Sequence, residues 1–567
     1  MALDWIKSHK GRGIVLAGRP YQVDNEINHG IPELINGMGL AVLSEDSIAM
    51  KAGDTREDLR VLDQWVYHAR LYRAAEFVAD HEDLELIQLN SFGCGLDAVT
   101  TDQVQEILEA RGRIYTVLKI DEVSNLGAVK IRIRSLIQAI DNARKAGLTL
   151  KKPTDSYAPK KVTFTKEMRK DYTILVPAMA PDHFRILAAG MESLGYHMAF
   201  LDKVDQNTIN EGLKYVNNDS CYPSITVVGQ MMEALDSGKY DPDKVALLMT
   251  QTGGACRASN YVGYIRKALK DMGRPQIPVI ALSVQGIETS PGLQVTPGLV
   301  NRGVMAIVAG DVIMRCSNAT RPYEAEAGET DRVKEKWIRA FSDFVAKPRL
   351  KGFGDLVRAC VRDFDRIPRL DIVKPKAGIV GEILVKYLPE ANNNLQDLLE
   401  AEGAEVVVPE LADFFLYCFR NATHKADLLG TSKAMAALSN LGVSLIEFYR
   451  RPVRRALRAS THFTEMFHIE DVEAFASEIV SLGHHYGEGW LLTGEMVELI
   501  HEGAPNIVCI QPFGCLPNHI TGKGVMKAIR EAYPESNIIA IDYDPGASEV
   551  NQVNRVKLMM TSAREGM

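Results

Sequence analysis

One strand–helix–strand pattern occurs three times along this chain of 567 residues. Each copy opens with a short apolar run, passes through a helical stretch and a glycine, and reaches a second apolar run. The paired runs lie at 13–18 and 39–43, at 172–177 and 195–201, and at 377–381 and 403–409. Short β-rich runs that alternate with helices predict βαβ units and hence parallel sheets. A chain of this length exceeds one hydrophobic core, so the copies predict separate α/β domains.

Each copy continues with a third and a fourth apolar run. The third runs, at 84–89, 245–249 and 507–510, each lead into a loop that contains glycine and cysteine. A helical stretch follows, and the fourth runs lie at 114–120, 279–284 and 538–541. We therefore predict three α/β units with doubly wound parallel sheets, at 1–150, 151–325 and 372–567, and a helical connector at 326–371. A lysine-rich, proline-containing linker marks the first junction.

The composition excludes several classes of protein. Apolar residues make up 46% of the chain and charged residues 24%, which excludes disordered, collagen-like and disulfide-scaffold proteins. A formal charge of -8 disfavours general binding to nucleic acid or to an anionic membrane. Because no apolar run approaches ~20 residues and no signal-like stretch opens the chain, we expect a cytoplasmic protein. The eight cysteines of such a chain are expected to be buried thiols or ligands rather than structural disulfides.

Three cysteines, Cys94, Cys256 and Cys515, lie one per copy in the loop after the third run. Ligands of open parallel sheets bind beyond the carboxyl ends of the strands, where these loops begin. A helix N-terminus stabilises the thiolate, which is the form that binds metal. Neighbouring glycines let the backbone approach a bulky ligand and offer it N–H groups. The glycines assigned to cofactor binding are Gly93, Gly95, Gly254 and Gly514.

The other five cysteines leave two interpretations open, metal ligand or buried core thiol. Cys221 lies in a polar turn with Asn, Asp and Pro, which favours a metal ligand. The surroundings of Cys418 indicate a ligand less strongly. Cys509 lies inside a predicted strand, which is compatible with both interpretations. Cys316 and Cys360 lie in helical stretches and are expected to be core thiols. The cysteine spacings do not fit a zinc ribbon or a ferredoxin run, which need Cys-x-x-Cys. An iron–sulfur site assembled across domains is the thiolate-only centre that fits best.

Other motifs indicate less specific chemistry. Gly93-Cys-Gly-Leu-Asp-Ala98 matches a nominal dinucleotide fingerprint, but its internal cysteine and its absence from the third copy argue against NAD. No Walker A sequence is present, so we expect no nucleotide on this chain. His484, His485 and Glu488 are candidates for proton transfer near a reactive site, with capping or packing as the alternative. The basic run 449–458 favours a solvated helix face. The alternative is a binding surface for an acidic partner or for coenzyme phosphates.

Longer motifs carry a resemblance over nearly the whole chain. They are Gly18-Arg-Pro-Tyr with Asn28-His-Gly-Ile-Pro, Asn90-Ser-Phe-Gly-Cys-Gly-Leu-Asp-Ala98, Asn217-Asn-Asp-Ser-Cys-Tyr-Pro223, Thr250-Gln-Thr-Gly-Gly-Ala-Cys-Arg257 and Gln511-Pro-Phe-Gly-Cys-Leu-Pro-Asn-His519. With these motifs the chain resembles the large component associated with 2-hydroxyacyl-CoA dehydratase activases. That group is related to the dehydratases themselves and to double-cubane cluster proteins. The activase ATPase that some relatives carry on the same polypeptide has no counterpart here.

The resemblance implies flavodoxin-like or Rossmann-like domains around [4Fe–4S]-type clusters, in an oxygen-sensitive protein of anaerobes. A separate homodimeric activase with its own [4Fe–4S] cluster would hydrolyse ATP and supply the electron. Dehydratase relatives hold each cluster with three cysteines, and double-cubane relatives use six around two cubanes joined by a bridging sulfide. The ligand sets carried over to this chain are Cys94, Cys221 and Cys256 for one cubane and Cys418, Cys509 and Cys515 for a second.

Three functional hypotheses result from the resemblance. The leading hypothesis is an iron–sulfur reductase that accepts low-potential electrons from the activase and reduces a small substrate at a double-cubane-type cluster. The nearest alternative is a 2-hydroxyacyl-CoA dehydratase-like lyase with a single [4Fe–4S] cluster. A different class is a non-catalytic electron-transfer or scaffold subunit of an activase complex. A homodimer is expected from the frequency of two-fold symmetric oligomers.

Overall fold

The structure is a computed structural model that describes residues 2–52, 59–91, 95–120, 126–147, 159–252, 254, 256–282, 288, 290–349 and 352–566. The chain divides into two compact units. Unit 1 contains Met1–Lys161, Tyr215–Ser220 and Gly253–Pro275. Unit 2 contains Val162–Lys214, Cys221–Thr252 and Gln276–Met567. The chain therefore passes from one unit to the other repeatedly.

Three four-stranded parallel sheets organise the described residues, which confirms the predicted α/β repeat. The strands of the first sheet, in unit 1, are β1 (Gly13–Ala17), β2 (Ala41–Ser44), β3 (Leu84–Ser91) and β4 (Thr116–Ile120). The second and third sheets, in unit 2, comprise β5 (Thr173–Pro177), β6 (His197–Leu201), β7 (Val245–Thr250), β8 (Val279–Leu282), β9 (Lys376–Gly381), β10 (Glu405–Val407), β11 (Asn506–Pro512) and β12 (Asn537–Tyr543). Each predicted apolar run contributes a strand, and residues 283–284 of one run lie outside the described residues.

The order of the strands is the same in all three sheets. The first strand pairs with the second on one side and with the third on the other, and the fourth pairs with the third. The direction of winding therefore reverses between the first and third strands, which is the switch point where such sheets bind ligands. β11 is buried along its whole length and β3 along nearly all of it. Parallel sheets are commonly covered on both faces by helices, which explains their continuous apolar runs.

Helices connect successive strands, as parallel pairing requires. The α-helices of the described residues are α1 (Ala2–His9), α2 (Asn25–Asn28), α3 (Ile31–Asn36), α4 (Glu45–Ala49), α5 (Val66–Ala79), α6 (Gly95–Ala110), α7 (Leu126–Lys145), α8 (Pro181–Glu192), α9 (Gln206–Tyr215), α10 (Tyr222–Asp236), α11 (Tyr261–Asp271), α12 (Pro297–Thr320), α13 (Glu329–Ala346), α14 (Phe353–Asp365), α15 (Ile383–Tyr387), α16 (Leu395–Ala401), α17 (Leu411–Leu429), α18 (Lys433–Arg458), α19 (Ile469–Ser477), α20 (Gly489–His501), α21 (Leu516–Thr521), α22 (Met526–Ala532) and α23 (Glu549–Glu565). Of these, α13 and α14 lie in the segment predicted as a helical connector.

Helix α12 forms part of the interior of unit 2. It is the one described helix that is long and apolar enough to span a membrane by length and composition. It packs, however, against α8, α13 and α14 and carries the buried residue Asp311. Cys316 in α12 and Cys360 in α14 are fully buried in the same core, and burial raises the pKa of both thiols. Both residues are therefore core thiols, as the sequence predicts.

The basic run 449–458 lies in α18 but does not form the predicted solvated face throughout. Arg450 is 1% exposed and Arg454 is 5% exposed. Arg450 Nη1 donates to Asp413 Oδ1 at 2.7 Å, and Arg454 pairs with Glu447. The prediction was wrong for these two arginines because the acidic partner of Arg450 comes from another helix, α17, which the run itself does not reveal.

Candidate functional site

In chain order, a glycine–cysteine segment follows the third strand of each sheet. Cys256 follows β7 and is the N-cap residue of a 3-10 helix, Arg257–Asn260, that leads into α11. Cys515 follows β11 and is the N-cap residue of α21. Gly254 and Gly514 have φ values of +69° and +67°, a backbone conformation that favours glycine. Each of these two cysteines thus follows the third strand of its α/β repeat in the chain and begins a helical segment.

Cys94 and Gly93 lie outside the described residues, but their neighbour Gly95 begins α6. A Cβ atom added to Gly95 would lie 1.6 Å from Arg257 Nη1, so the Arg257 guanidinium packs directly on the Gly95 backbone. Arg257 is itself 5% exposed. Within unit 1, the residue after Cys94 therefore contacts the residue after Cys256.

The turn 217–220 joins the same part of unit 1. Asn217 Nδ2 donates to Asp102 Oδ1 on α6 at 2.8 Å, and Ser220 Oγ donates to Tyr264 Oη on α11 at 3.3 Å. Ser220 directly precedes Cys221, which is 4% exposed and is the N-cap residue of α10. Chain neighbours of Cys94, Cys221 and Cys256 are thus held by contacts within α6, α11 and this turn.

Several polar groups surround these loops in unit 1. Arg19 Nε donates to Asp97 Oδ1 at 3.0 Å, and His68 Nε2 lies 3.5 Å from the same oxygen. Burial alone would raise the pKa of Asp97, but the contact with His68 and the charge of Arg19 outweigh it and lower that pKa. Trp65 Nε1 donates to the Gly254 carbonyl at 2.8 Å and fixes that loop. Nearby cationic side chains favour the thiolate form of a cysteine.

The second predicted set, Cys418, Cys509 and Cys515, lies entirely in unit 2. Cys418 on α17 has an exposed side chain, although desolvation raises the pKa of its thiol to about 12, and Cys515 is half-buried. Phe513, Leu516 and Ile520 lie next to Cys515 in the chain and leave 44–45% of their surface exposed. These two cysteines therefore lie on accessible surface, and an apolar patch adjoins Cys515.

Cys509 has different surroundings because it lies within β11. It is fully buried in a core cluster with Leu492 and Met496, and a Cβ atom added to Gly522 would lie 3.2 Å from its Sγ. Burial raises the pKa of Cys509 to about 12, which disfavours the thiolate. Of the two interpretations that the sequence leaves open, this position favours the core thiol.

Glu488 ties the 484–489 loop to the carboxyl end of β9. Glu488 Oε1 accepts a hydrogen bond from Ile383 N at 3.1 Å. With its amide oriented to satisfy both neighbours, Asn518 donates to Glu488 Oε2 at 2.8 Å and accepts from Glu382 N at 3.1 Å. Burial raises the pKa of Glu488. The carboxylate therefore positions α21, whose N-cap residue is Cys515.

The two histidines of this loop occupy different environments. His484 is exposed, and its carbonyl accepts a hydrogen bond from Trp490 N at 2.7 Å. His485 is half-buried, and its Nδ1 lies 2.7 Å from the Gly483 carbonyl, so Nδ1 carries the proton and Nε2 is available as an acceptor. Burial lowers the pKa of His485, which favours the neutral ring. Of the two, His485 is therefore better suited to accept a proton.

The sequence analysis assigns no functional role to three residues that lie near these loops, Arg19, His68 and Arg257. Arg19 and Arg257 nevertheless lie inside motifs quoted above, at Gly18-Arg-Pro-Tyr and at the end of Thr250-Gln-Thr-Gly-Gly-Ala-Cys-Arg257. The signal was thus present in the motifs, but the contacts of these residues with Asp97 and Gly95 depend on folding.

The N-terminal segment of the chain is similar to a known protein family. Residues 1–48 match the family described as the CoA enzyme activase uncharacterised domain. This segment contains β1, β2 and the Gly18-Arg-Pro-Tyr turn between them. No curated protein matches the chain. The match shows similarity to this activase-related domain over residues 1–48.

Proposed function

We propose that this chain is the iron–sulfur component of an activase-dependent enzyme. It would accept low-potential electrons from a separate ATP-hydrolysing activase and use them to reduce a small substrate. The observation that carries the proposal is the contact of Gly95 with Arg257 in unit 1, since these residues directly follow two predicted ligands, Cys94 and Cys256. The activase-related match at residues 1–48 supports the choice of partner.

The residues around this position fit a [4Fe–4S] group. Cys221 and Cys256 begin helical segments, where the backbone N–H groups favour a thiolate. Gly254 lets the backbone approach a bulky group, and Arg257 brings positive charge next to Cys256. Thiolate-only ligation is typical of iron–sulfur clusters. Cys94, Cys221 and Cys256 are the ligand set that the resemblance implies for one cluster, and we propose them as its ligands.

When bound, such a group supplies one-electron transfer at low potential. The residues of the chain would bind it, shield it and handle protons. Arg19 and His68 hold the Asp97 carboxylate, and the Trp65 indole fixes the Gly254 loop. In unit 2, His485 Nε2 is the atom we propose as a proton acceptor.

The double-cubane version requires Cys418, Cys509 and Cys515 as a second ligand set. The burial of Cys509 in an apolar core leaves Cys418 and Cys515 as the accessible members of that set. This observation favours the alternative version, a 2-hydroxyacyl-CoA dehydratase-like lyase with a single [4Fe–4S] cluster. The two versions differ in the number of irons bound.

The decisive experiment measures iron and acid-labile sulfide per chain in protein purified without oxygen. About eight irons per chain would support the double-cubane reductase, and about four would support the single-cluster version. Zinc, or no metal in protein kept anaerobic, would contradict the proposal. Turnover with activase, ATP and a reductant then separates an enzyme from a non-catalytic electron-transfer or scaffold subunit.

A further inference from the structure

Three buried carboxylates converge in the interior of unit 2. Glu410 is the N-cap residue of α17, Asp413 lies in its first turn, and Glu498 lies in α20. Their exposed fractions are 0%, 1% and 2%, respectively. One carboxylate oxygen from each lies within 4.8 Å of those of the other two. The group consists of oxygen donors alone and contains none of the predicted cysteine ligands.

Each of these carboxylates has an oxygen without a hydrogen-bond partner. Arg315 Nε donates to Glu410 Oε1 at 2.5 Å, and Arg450 Nη1 donates to Asp413 Oδ1 at 2.7 Å. In contrast, Glu410 Oε2, Asp413 Oδ2 and Glu498 Oε2 are buried and accept no hydrogen bond from the residues that the structure describes. Leaving a buried acceptor without a partner is costly, so these three oxygens point to a missing positive group.

The charges around the group leave an excess of negative charge. Seven carboxylates lie in this region, Asp311, Glu410, Asp413, Glu447, Glu495, Glu498 and Glu502, together with four fixed cations, Arg315, Lys386, Arg450 and Arg454. In addition, His183 Nε2 lies 2.9 Å from Asp311 Oδ1. Lys386 Nζ donates hydrogen bonds to both carboxylate oxygens of Glu495. Asp311 is stabilised by backbone N–H groups at the start of α17. These contacts do not neutralise Glu498, whose strongest charge interactions are with the carboxylates Asp413, Glu502, Glu410 and Glu495.

We propose that Glu410, Asp413 and Glu498 bind one hard divalent cation, Mg²⁺ or Ca²⁺, through one carboxylate oxygen each. Carboxylate ligands select this class of metal, whereas thiolates select the softer metals of the cysteine site. Two positive charges offset most of the excess negative charge in the core. The cation joins the start of α17 to α20, and α17 also carries Cys418. It is therefore a structural brace, independent of the proposed iron–sulfur function.

Protons are the competing way to neutralise the group. Burial, together with the charges of Asp413 and Glu502, raises the pKa of Glu498 well above its ordinary value. A protonated Glu498 would need no metal. The two states differ in metal content and in their response to a chelator, and both can be measured.

The first test counts magnesium, calcium and iron by mass spectrometry in the full-length chain after dialysis into metal-free buffer. We expect about one Mg²⁺ or Ca²⁺ per chain, lost in Glu498→Gln. The matched control is Glu495→Gln on the same helix, which should retain the cation because it lies outside the three-carboxylate group. Iron is counted in the same samples, so loss of magnesium or calcium with iron unchanged separates this site from the cysteine site.

The second test measures the thermal midpoint with and without EDTA. In the wild-type chain EDTA should lower the midpoint by about 3 °C or more, and added MgCl₂ or CaCl₂ should restore it. Glu498→Gln should not respond. Wild-type protein without magnesium or calcium, and without a response to EDTA, would show that protons neutralise the group and would overturn the proposal. If Glu498→Gln fails to fold, the wild-type metal count and the EDTA shift decide the question alone.

Discussion

The two predicted cysteine sets differ in where their members lie relative to the strands. In the first set, Cys221 and Cys256 lie at helix starts, and Gly95 after Cys94 begins α6. In the second set, Cys515 has the same kind of position, whereas Cys509 lies within β11. A cysteine beyond the end of a strand can turn its Sγ towards a ligand at the sheet edge. Inside a strand the pleat fixes its direction, and in β11 that direction is the apolar core.

The largest effect is expected from Cys256→Ala, which removes a ligand of the first set. We expect the loss of about four irons per chain with the fold retained. The matched control is Cys316→Ala, a core thiol that should cost about 1 kcal/mol of unfolding free energy and no iron. Iron, acid-labile sulfide and circular dichroism measure both variants. Full iron and sulfide in folded Cys256→Ala would remove this residue from the ligand set.

Cys509→Ala compared with Cys515→Ala sharpens the contrast within the second set. A core thiol leaves a small cavity, so Cys509→Ala should lose about 1–2 kcal/mol of unfolding free energy and keep all its iron. Cys515→Ala should lose iron only if a second cluster exists. Chemical denaturation and iron analysis give both quantities. Iron loss in folded Cys509→Ala would restore this residue as a ligand despite its burial.

Gly95→Ala tests the contact that places the first set. The new Cβ would overlap Arg257 Nη1, so we expect a loss of about 2 kcal/mol in unfolding free energy and a lower iron content. Gly303→Ala is the control, because a Cβ at that helical position has no neighbour within 4 Å. That change should be neutral or stabilising by up to about 1 kcal/mol. Equal stability and iron content in the two variants would mean that the Arg257 side chain can move away from the new Cβ at little cost in free energy.

The smallest effect is expected on the pH dependence of stability in Glu498→Gln. This residue lies beside the carboxylates at the start of α17, the helix that carries Cys418. The folded-state pKa of Glu498 is raised, so with EDTA present its stabilising effect is present at low pH and is lost as pH rises. The wild-type chain should therefore lose more unfolding free energy than Glu498→Gln as the pH rises above about 4.5, the ordinary pKa of a glutamate. Denaturant titration across this range measures both slopes. Parallel slopes would show that Glu498 does not titrate in the folded chain.

The sequence predicts the strands closely because their signal is local. The runs at 84–89 and 507–510 became β3 and β11, since continuous apolar residues fit a sheet covered on both faces. The sequence also predicts that Cys256 and Cys515 follow their strands, because each apolar run is followed in the chain by glycine and then cysteine. The sequence does not predict which face of β11 Cys509 lies on, because the residues on both faces of a buried strand are apolar.

The sequence by itself therefore determined the threefold α/β repeat and the placement of one glycine–cysteine loop after each third strand. Only the tertiary structure decided that Arg257 packs on Gly95, that Arg450 is buried against Asp413, and that Glu498 joins Glu410 in the core. Strand and helix periodicity depends on neighbours in the chain, which the sequence displays directly. Charge pairing and burial depend on residues far apart in the chain, which only the packed helices and sheets bring together.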